Sequence, residues 1–206
     1  MQTLTRCIGA ISAFSVFAAA FAGPLATDPT AMAAWRGSTL FTDGVLNVVV
    51  DYAVYAPGHF GAGDPSGGTR YVYAYQGFNI SGTRPFSNIS IGFYDSSVVY
   101  DGGFDAVHGQ AGGVIPLFQD SRAGSGFPSS SFRSIFQAAG GPFTKVNPGQ
   151  WSQALVYTSP FAPQLYSSSV IDDGQQVQLA LPSPIPSPAP LAALALAGCV
   201  QIRRRR

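Results

Sequence analysis

The chain has no glutamate and a single lysine, Lys145, among its 206 residues. Charged residues make up 10%, well below the quarter usual for a soluble domain. Glutamate and lysine normally furnish helix surfaces, so a mainly helical architecture is excluded. Glycine (24), proline (16), tyrosine (9) and phenylalanine (15) are plentiful instead, and such turn formers and strand formers point to an all-β chain. The two cysteines, Cys7 and Cys199, lie near the ends, which excludes a disulfide framework or a cysteine zinc site in the body. The two histidines, His59 and His108, come without any G-x-S-x-G stretch, so no serine elbow exists for a catalytic triad. Without glutamate, a glycosidase would need two aspartates facing each other across a cleft, and no pair is singled out.

The overall charge of +1 hides an uneven distribution. Arg6 and Arg203, Arg204, Arg205 and Arg206 sit at the extremities. Between them six basic residues face ten aspartates, a charge of −4. An acidic body speaks against a nucleic-acid partner, which requires clustered lysine and arginine.

Both ends have the layout of topogenic segments. Arg6 precedes an apolar run from Cys7 to Phe21, and Ala20-Phe21-Ala22 places small residues where a signal peptidase selects, just before Gly23-Pro24. This predicts a secretory signal peptide over residues 1–22, with cleavage set by Ala20, Ala22 and Gly23. A buried N-terminal helix is the competing reading. At the other end a Pro/Ser stretch begins at Pro182, followed by an apolar run from Leu191 to Val200 and the four arginines. That run is about half of the ~20 residues a membrane-spanning helix needs. The arginines suit the cytoplasmic face of a membrane. The expected division is a signal over 1–22, a domain over 23–181, and a linker, short apolar helix and basic tail over 182–206.

The order proline motif, short apolar helix, arginine cluster resembles the PEP-CTERM-type sorting signal of bacterial exported proteins. It covers the tail from Pro186 onward. Where that family carries Pro-Glu-Pro, this chain has Pro186-Ser187-Pro188 or Pro188-Ala189-Pro190. The resemblance implies processing by an exosortase-like membrane protease and transient association with the inner membrane. It also implies a final place at the cell surface or in the extracellular matrix, with exopolysaccharide as a partner. "VDYAVYAPG", "GGTRYVYAYQGFN" and "LVYTSPFAPQLYSSSVIDDG" are similar to stretches in ectodomains of that group, which implies a fold class without an activity.

Within the body, alternation marks strands. Leu46, Val48, Val50, Tyr52 and Val54 form one apolar face, with Asn47 and Asp51 opposite. Ile89, Ile91 and Phe93 alternate with Asn88, Ser90 and Gly92, and Val177, Leu179 and Leu181 alternate with Gln176, Gln178 and Ala180. Further strands are expected over 70–80, 132–138, 154–158 and 165–171. Turns are expected at Asp64-Pro65-Ser66-Gly67-Gly68, Ser81-Gly82, Asp101-Gly102-Gly103 and Asp172-Asp173-Gly174, the last closing a hairpin. The segment TAMAAW fits a helical turn, and residues 102–131 read as loop-rich. Seven to nine strands at this spacing predict an antiparallel β-sandwich, jelly-roll-like, flanked by the two terminal helices.

Two constellations carry chemistry. Tyr71, Tyr73 and Tyr75 share one face of a strand. Pointing outward they would stack on sugar rings; pointing inward they would be core with bonded hydroxyls. Asp101, Asp105 and His108 lie in a glycine-rich stretch and offer oxygen and imidazole ligands for a divalent ion such as calcium, although Asp-Gly-Gly is also a turn by itself. The sequons Asn79-Ile80-Ser81 and Asn88-Ile89-Ser90 are pattern matches only in a bacterial chain. The expected function is a non-enzymatic structural or adhesive role in envelope polysaccharide, without a cofactor. A carbohydrate-binding module using the tyrosine row is the alternative, and a secreted metal-dependent enzyme ranks third.

Overall fold

The computed structural model describes residues 22–123, 130–136, 144–172 and 175–186. The two expected terminal helices, Ala20, Ser187, Pro188, Pro190 and Arg203 to Arg206 lie outside them. Among the described residues ten strands form two antiparallel five-stranded sheets, the all-β sandwich that the composition predicts. The strands are β1 (Arg36–Thr42), β2 (Leu46–Tyr55), β3 (Tyr71–Gly82), β4 (Asn88–Phe93) and β5 (Tyr100–Asp105). They continue with β6 (Phe118–Ala123), β7 (Ser130–Ile135), β8 (Ala154–Ser159), β9 (Pro163–Asp172) and β10 (Gln175–Pro184). The first sheet has the order β1-β2-β3-β8-β5 and the second β10-β9-β4-β7-β6. A single helical turn, α1 (Pro24–Thr27), and a 3-10 turn over Ala33–Trp35 precede β1. No helix among the described residues is long and apolar enough to cross a membrane.

The inner faces meet as the alternation requires. Leu46, Val48, Val50 and Val54 of β2 pack with Tyr73 and Tyr75 of β3, Tyr157 of β8, and Ile89, Ile91 and Phe93 of β4. β3 and β4 approach closely at Gly77, where a Cβ would come within 2.6 Å of Ile89 Cδ1. Side-chain burial of this kind contributes about 1.5–3 kcal/mol per large apolar residue, so the inner layer carries most of the stability.

The structure corrects several expectations. β2 is buried on both faces, not on one. Val49, Asp51, Ala53 and Tyr55 are as inaccessible as the inner row. Asp101-Gly102-Gly103 is no turn: it lies inside β5 as a bulge, with a register shift between Tyr100 and Gly103 and Asp101 at φ 46°. β6 runs through the stretch expected to be loop. The domain does not stop at Leu181. β10 continues through Pro184, with Pro182 opposite Leu165 and Pro184 opposite Pro163. Proline is tolerated there because β10 is an edge strand whose outer side needs no donor. β9 and β10 pair from Asp172↔Gln175 onward, as the expected hairpin requires.

Candidate functional site

The tyrosine row lies in the core. Tyr73 and Tyr75 are fully buried and Tyr71 partly so, because β3 turns its odd positions toward the second sheet. The Tyr73 hydroxyl donates to the Phe161 carbonyl at 2.7 Å. Tyr75 donates to the Pro182 carbonyl and lies 3.0 Å from the Tyr157 hydroxyl. Since Tyr75 has one proton and a carbonyl cannot donate, Tyr157 is the donor in that pair. The Tyr157 ring stacks on Tyr73 at 5.1 Å and on Tyr75 at 5.8 Å. Burial, above all, raises all three phenols above their ordinary range. These groups tie β3 and β8 of one sheet to β10 of the other. They offer no face to a sugar, and the saccharide-stacking alternative loses its residues.

The metal triad is not assembled. Asp101 accepts from Arg70 Nη1 at 2.9 Å and Thr158 Oγ1 at 3.0 Å, and the Arg70 guanidinium lies 4.2 Å over the Tyr100 ring. Asp105 stands at the opposite end of β5 and closes a local turn, accepting from the amides of Val107 at 3.0 Å and His108 at 2.9 Å. Among the described residues no three of His, Cys, Asp or Glu are grouped to hold a metal ion. The glycine-rich chemistry falls into two unrelated pairs, because the bulge at Asp101 sends its carboxylate toward Arg70.

A different cluster gathers on the outer face of the first sheet. Leu25 and Ala31 of the N-terminal segment and Phe60 of the β2–β3 connection cover Ala53, Tyr55, Val72, Ala74, Ala154 and Val156. At its rim His108 Nδ1 lies 2.6 Å from Asp105 Oδ2. The imidazole stacks on Phe60, centroids 4.0 Å apart, and meets the edge of Tyr55 at 5.5 Å. The Tyr55 hydroxyl donates to Asp28 Oδ2 at 2.7 Å. Burial pushes the Asp28 carboxyl upward. Hydrogen bonds from the Thr30 hydroxyl, Tyr55 and the Thr30 amide, with the His108 charge beyond them, outweigh that and hold it below its usual range. Tyr55 is raised by burial, then by its bond to Asp28 and the charges of Asp28 and Asp105. Chemically this is a fastening: each titratable group pins one covering segment to the sheet.

Deeper in the same layer lies Asp51, fully buried. Its Oδ2 accepts from the Gly23 backbone nitrogen at 2.5 Å and its Oδ1 from Ser38 Oγ at 2.7 Å. The Ala26 amide also donates to it, yet burial dominates and the carboxyl is pushed up to about 6. Sequence reasoning placed Asp51 opposite the apolar face and missed Asp28, Tyr55 and Phe60. The available signal was the continuity of "VVVDYAVY". Its odd positions Val49, Ala53 and Tyr55 are as apolar as its even ones, the mark of a strand buried on both sides. Of the expected cleavage residues, Ala22 is exposed and Gly23 is half-buried against Asp51. Pro186 follows the end of β10. Asn79 of the first sequon is buried, its amide donating to the carbonyls of Arg84 and Val146 at 2.9 and 3.0 Å. No family model, no curated protein and no solved structure matches the chain.

Proposed function

We propose that the chain is an exported bacterial protein of the cell surface or extracellular matrix, structural or adhesive within envelope polysaccharide. It is delivered by a cleaved N-terminal signal and a C-terminal sorting tail of the PEP-CTERM type. The observation that carries this reading is the pair of topogenic ends bracketing an acidic, strand-forming body. The fold is compatible with removal of both. α1 begins at Pro24 and β10 ends at Pro184, so neither cut would sever a strand. The buried tyrosines and the Asp28–Tyr55 and Asp105–His108 pairs serve cohesion, which suits a structural module.

Intact-mass measurement of the protein from its native host tests this. The expected product begins at Gly23 and lacks the residues beyond the Pro/Ser stretch. Recovery of the whole chain with Arg203 to Arg206 in place would overturn sorting-type processing. A host genome encoding an exosortase and many chains with the same tail is the matching genetic expectation.

A further inference from the structure

We infer that Asp51 is a built-in receptor for the α-amino group that cleavage between Ala22 and Gly23 creates, so that leader removal converts a buried, uncompensated carboxylate into an internal ion pair. The inference rests on the export reading above and adds what the new terminus binds. Three observations carry it. The Gly23 nitrogen already lies 2.5 Å from Asp51 Oδ2. Asp51 is inaccessible, and the donors that hold it are the Ser38 hydroxyl and the amides of Gly23 and Ala26, all uncharged. A Cβ on Gly23 would meet Asp51 Oδ2 at 2.6 Å and Phe78 Cζ at 2.8 Å, so any other residue would have to push the Asp51 carboxylate or the Phe78 ring aside.

The chemistry balances with water alone. Hydrolysis gives the Ala22 carbonyl a hydroxyl and the Gly23 nitrogen a hydrogen; a further proton from water makes it an ammonium. An α-amino group ordinarily titrates near 7.7–8.0 and a neighbouring carboxylate raises it, so it is charged at neutral pH. Ala22 is exposed, so the departing segment leaves from the surface while the nitrogen stays in place. A buried charge without a counter-ion is costly, and pairing removes the cost. The residues facing Asp51 from β1, β3 and the N-terminal segment (Ser38, Gln76, Phe78, Gly23 and Ala26) carry no titratable side chain. The sign of the pH response is therefore set by Asp51 and the new amine. With Gly23 an amide, the raised carboxyl adds stability below about pH 4 that is lost as pH rises through about 6. With Gly23 an ammonium the carboxyl falls and the amine rises. Stability is then held through neutral pH and lost above the amine's raised value.

The test exports the full-length chain in a bacterial host with a signal peptidase and measures the intact mass of the folded product. Lys145 is the sole lysine, so acylation by an N-hydroxysuccinimide ester at pH 7 followed by peptide mapping reads two amines separately. The expected result is a chain beginning at Gly23 whose amine reacts at least tenfold more slowly folded than unfolded. Asp51→Asn should abolish that protection. Should Asp51→Asn fail to fold, a second variant inserts Ser-Thr between Ala22 and Gly23. It keeps Asp51 but displaces the amine, and should lose roughly 5 °C of melting temperature at pH 7 and regain it on acidification to pH 4. A Gly23 terminus that acylates equally fast folded and unfolded overturns the inference while leaving export intact. So does a terminus at another residue. An exported chain left uncut overturns the cleavage reading itself and the inference with it.

Discussion

The two faces of the first sheet solve the same burial problem with different materials. The inner face is covered by the second sheet, strand on strand, and its polar groups are neutral phenols, met in the facing sheet by Ser183, which donates to the Gly92 carbonyl. The outer face is covered by α1, Ala31 and two long connections, and its polar groups include Asp28, Asp51, Asp105 and His108, with the neutral amide of Gln76 beside them. Strands deliver their own backbone hydrogen bonds to a ladder. An irregular covering segment has no ladder and must find partners for its amides elsewhere. Carboxylates supply these partners: Asp51 accepts from Gly23, Asp28 from Thr30, and Asp105 from Val107 and His108. Gln76 does the same for the Gln110 amide, so the outer layer is rich in acceptor side chains, most of them carboxylates, because it is irregular.

Truncation on each face tests this contrast. Tyr157→Ala on the inner face removes a ring that touches Tyr73, Tyr75 and Phe132 and the donor to Tyr75. It should cost about 4–5 kcal/mol in urea unfolding. Phe60→Ala on the outer face, beneath His108 and beside Tyr55, should cost nearer to about 3 kcal/mol, since a loop-covered site collapses more readily. Hydrogen exchange should also separate them. The first substitution would raise exchange throughout the strands, the second chiefly in residues 24–35 and 56–68. Equal, global effects would show that the two layers unfold as one.

The inner face was legible in the sequence and the outer one was not, for the same reason. Alternation at Leu46–Val54 and Ile89–Phe93 fixes which residues meet across the sandwich, whatever the loops do. Nothing local tells that Leu25 and Phe60, far apart in the chain, return to cover Ala53 and Ala74. Asp51 lies opposite the apolar row in the sequence, and nothing there marks it as buried, since aspartate is almost never fully buried without a partner. Its partners are the Ser38 hydroxyl on the neighbouring strand and the amides of Gly23 and Ala26, and backbone amides have no sequence signature. β5 was missed because Asp101-Gly102-Gly103 carries a turn's composition and serves as a bulge instead. The tyrosine row stood open between two faces. The register Tyr75↔Tyr52 and Tyr73↔Val54 turns it inward.

Titration gives the next effect in size. In a chain whose Gly23 nitrogen is still an amide, Asp51 at about 6 instead of 3.8 binds its proton more readily folded than unfolded. Stability should fall by about 2 kcal/mol between pH 4 and pH 7, and Asp51→Asn should erase that slope. Asp28, held low, acts in the opposite direction: its contribution disappears as the pH falls through its depressed value. The difference between wild type and Asp51→Asn isolates the buried group. Tyr75→Phe is smaller. It leaves the Pro182 carbonyl and the Tyr157 hydroxyl without their partner, about 1–2 kcal/mol in denaturant unfolding. A neutral result would mean that the pairing with β9 and the Ser183–Gly92 bond hold the end of β10 without help from Tyr75.

The smallest effect belongs to the far edge of the first sheet, where neither covering strategy operates. Arg70 and Asp101 form an ion pair with side chains 33% and 44% exposed. Exposed pairs are screened and cost side-chain entropy, so a double-mutant cycle of Arg70→Gln with Asp101→Asn should give a coupling under about 1 kcal/mol. Asparagine keeps the tolerance for the positive φ at Asp101 and a partner for Thr158, so the cycle reports the charge and not the bulge. A coupling well above that value, lost in high salt, would show that β5 is held to the sheet electrostatically. The acidic fastening seen on the outer face would then extend to the edge strand as well.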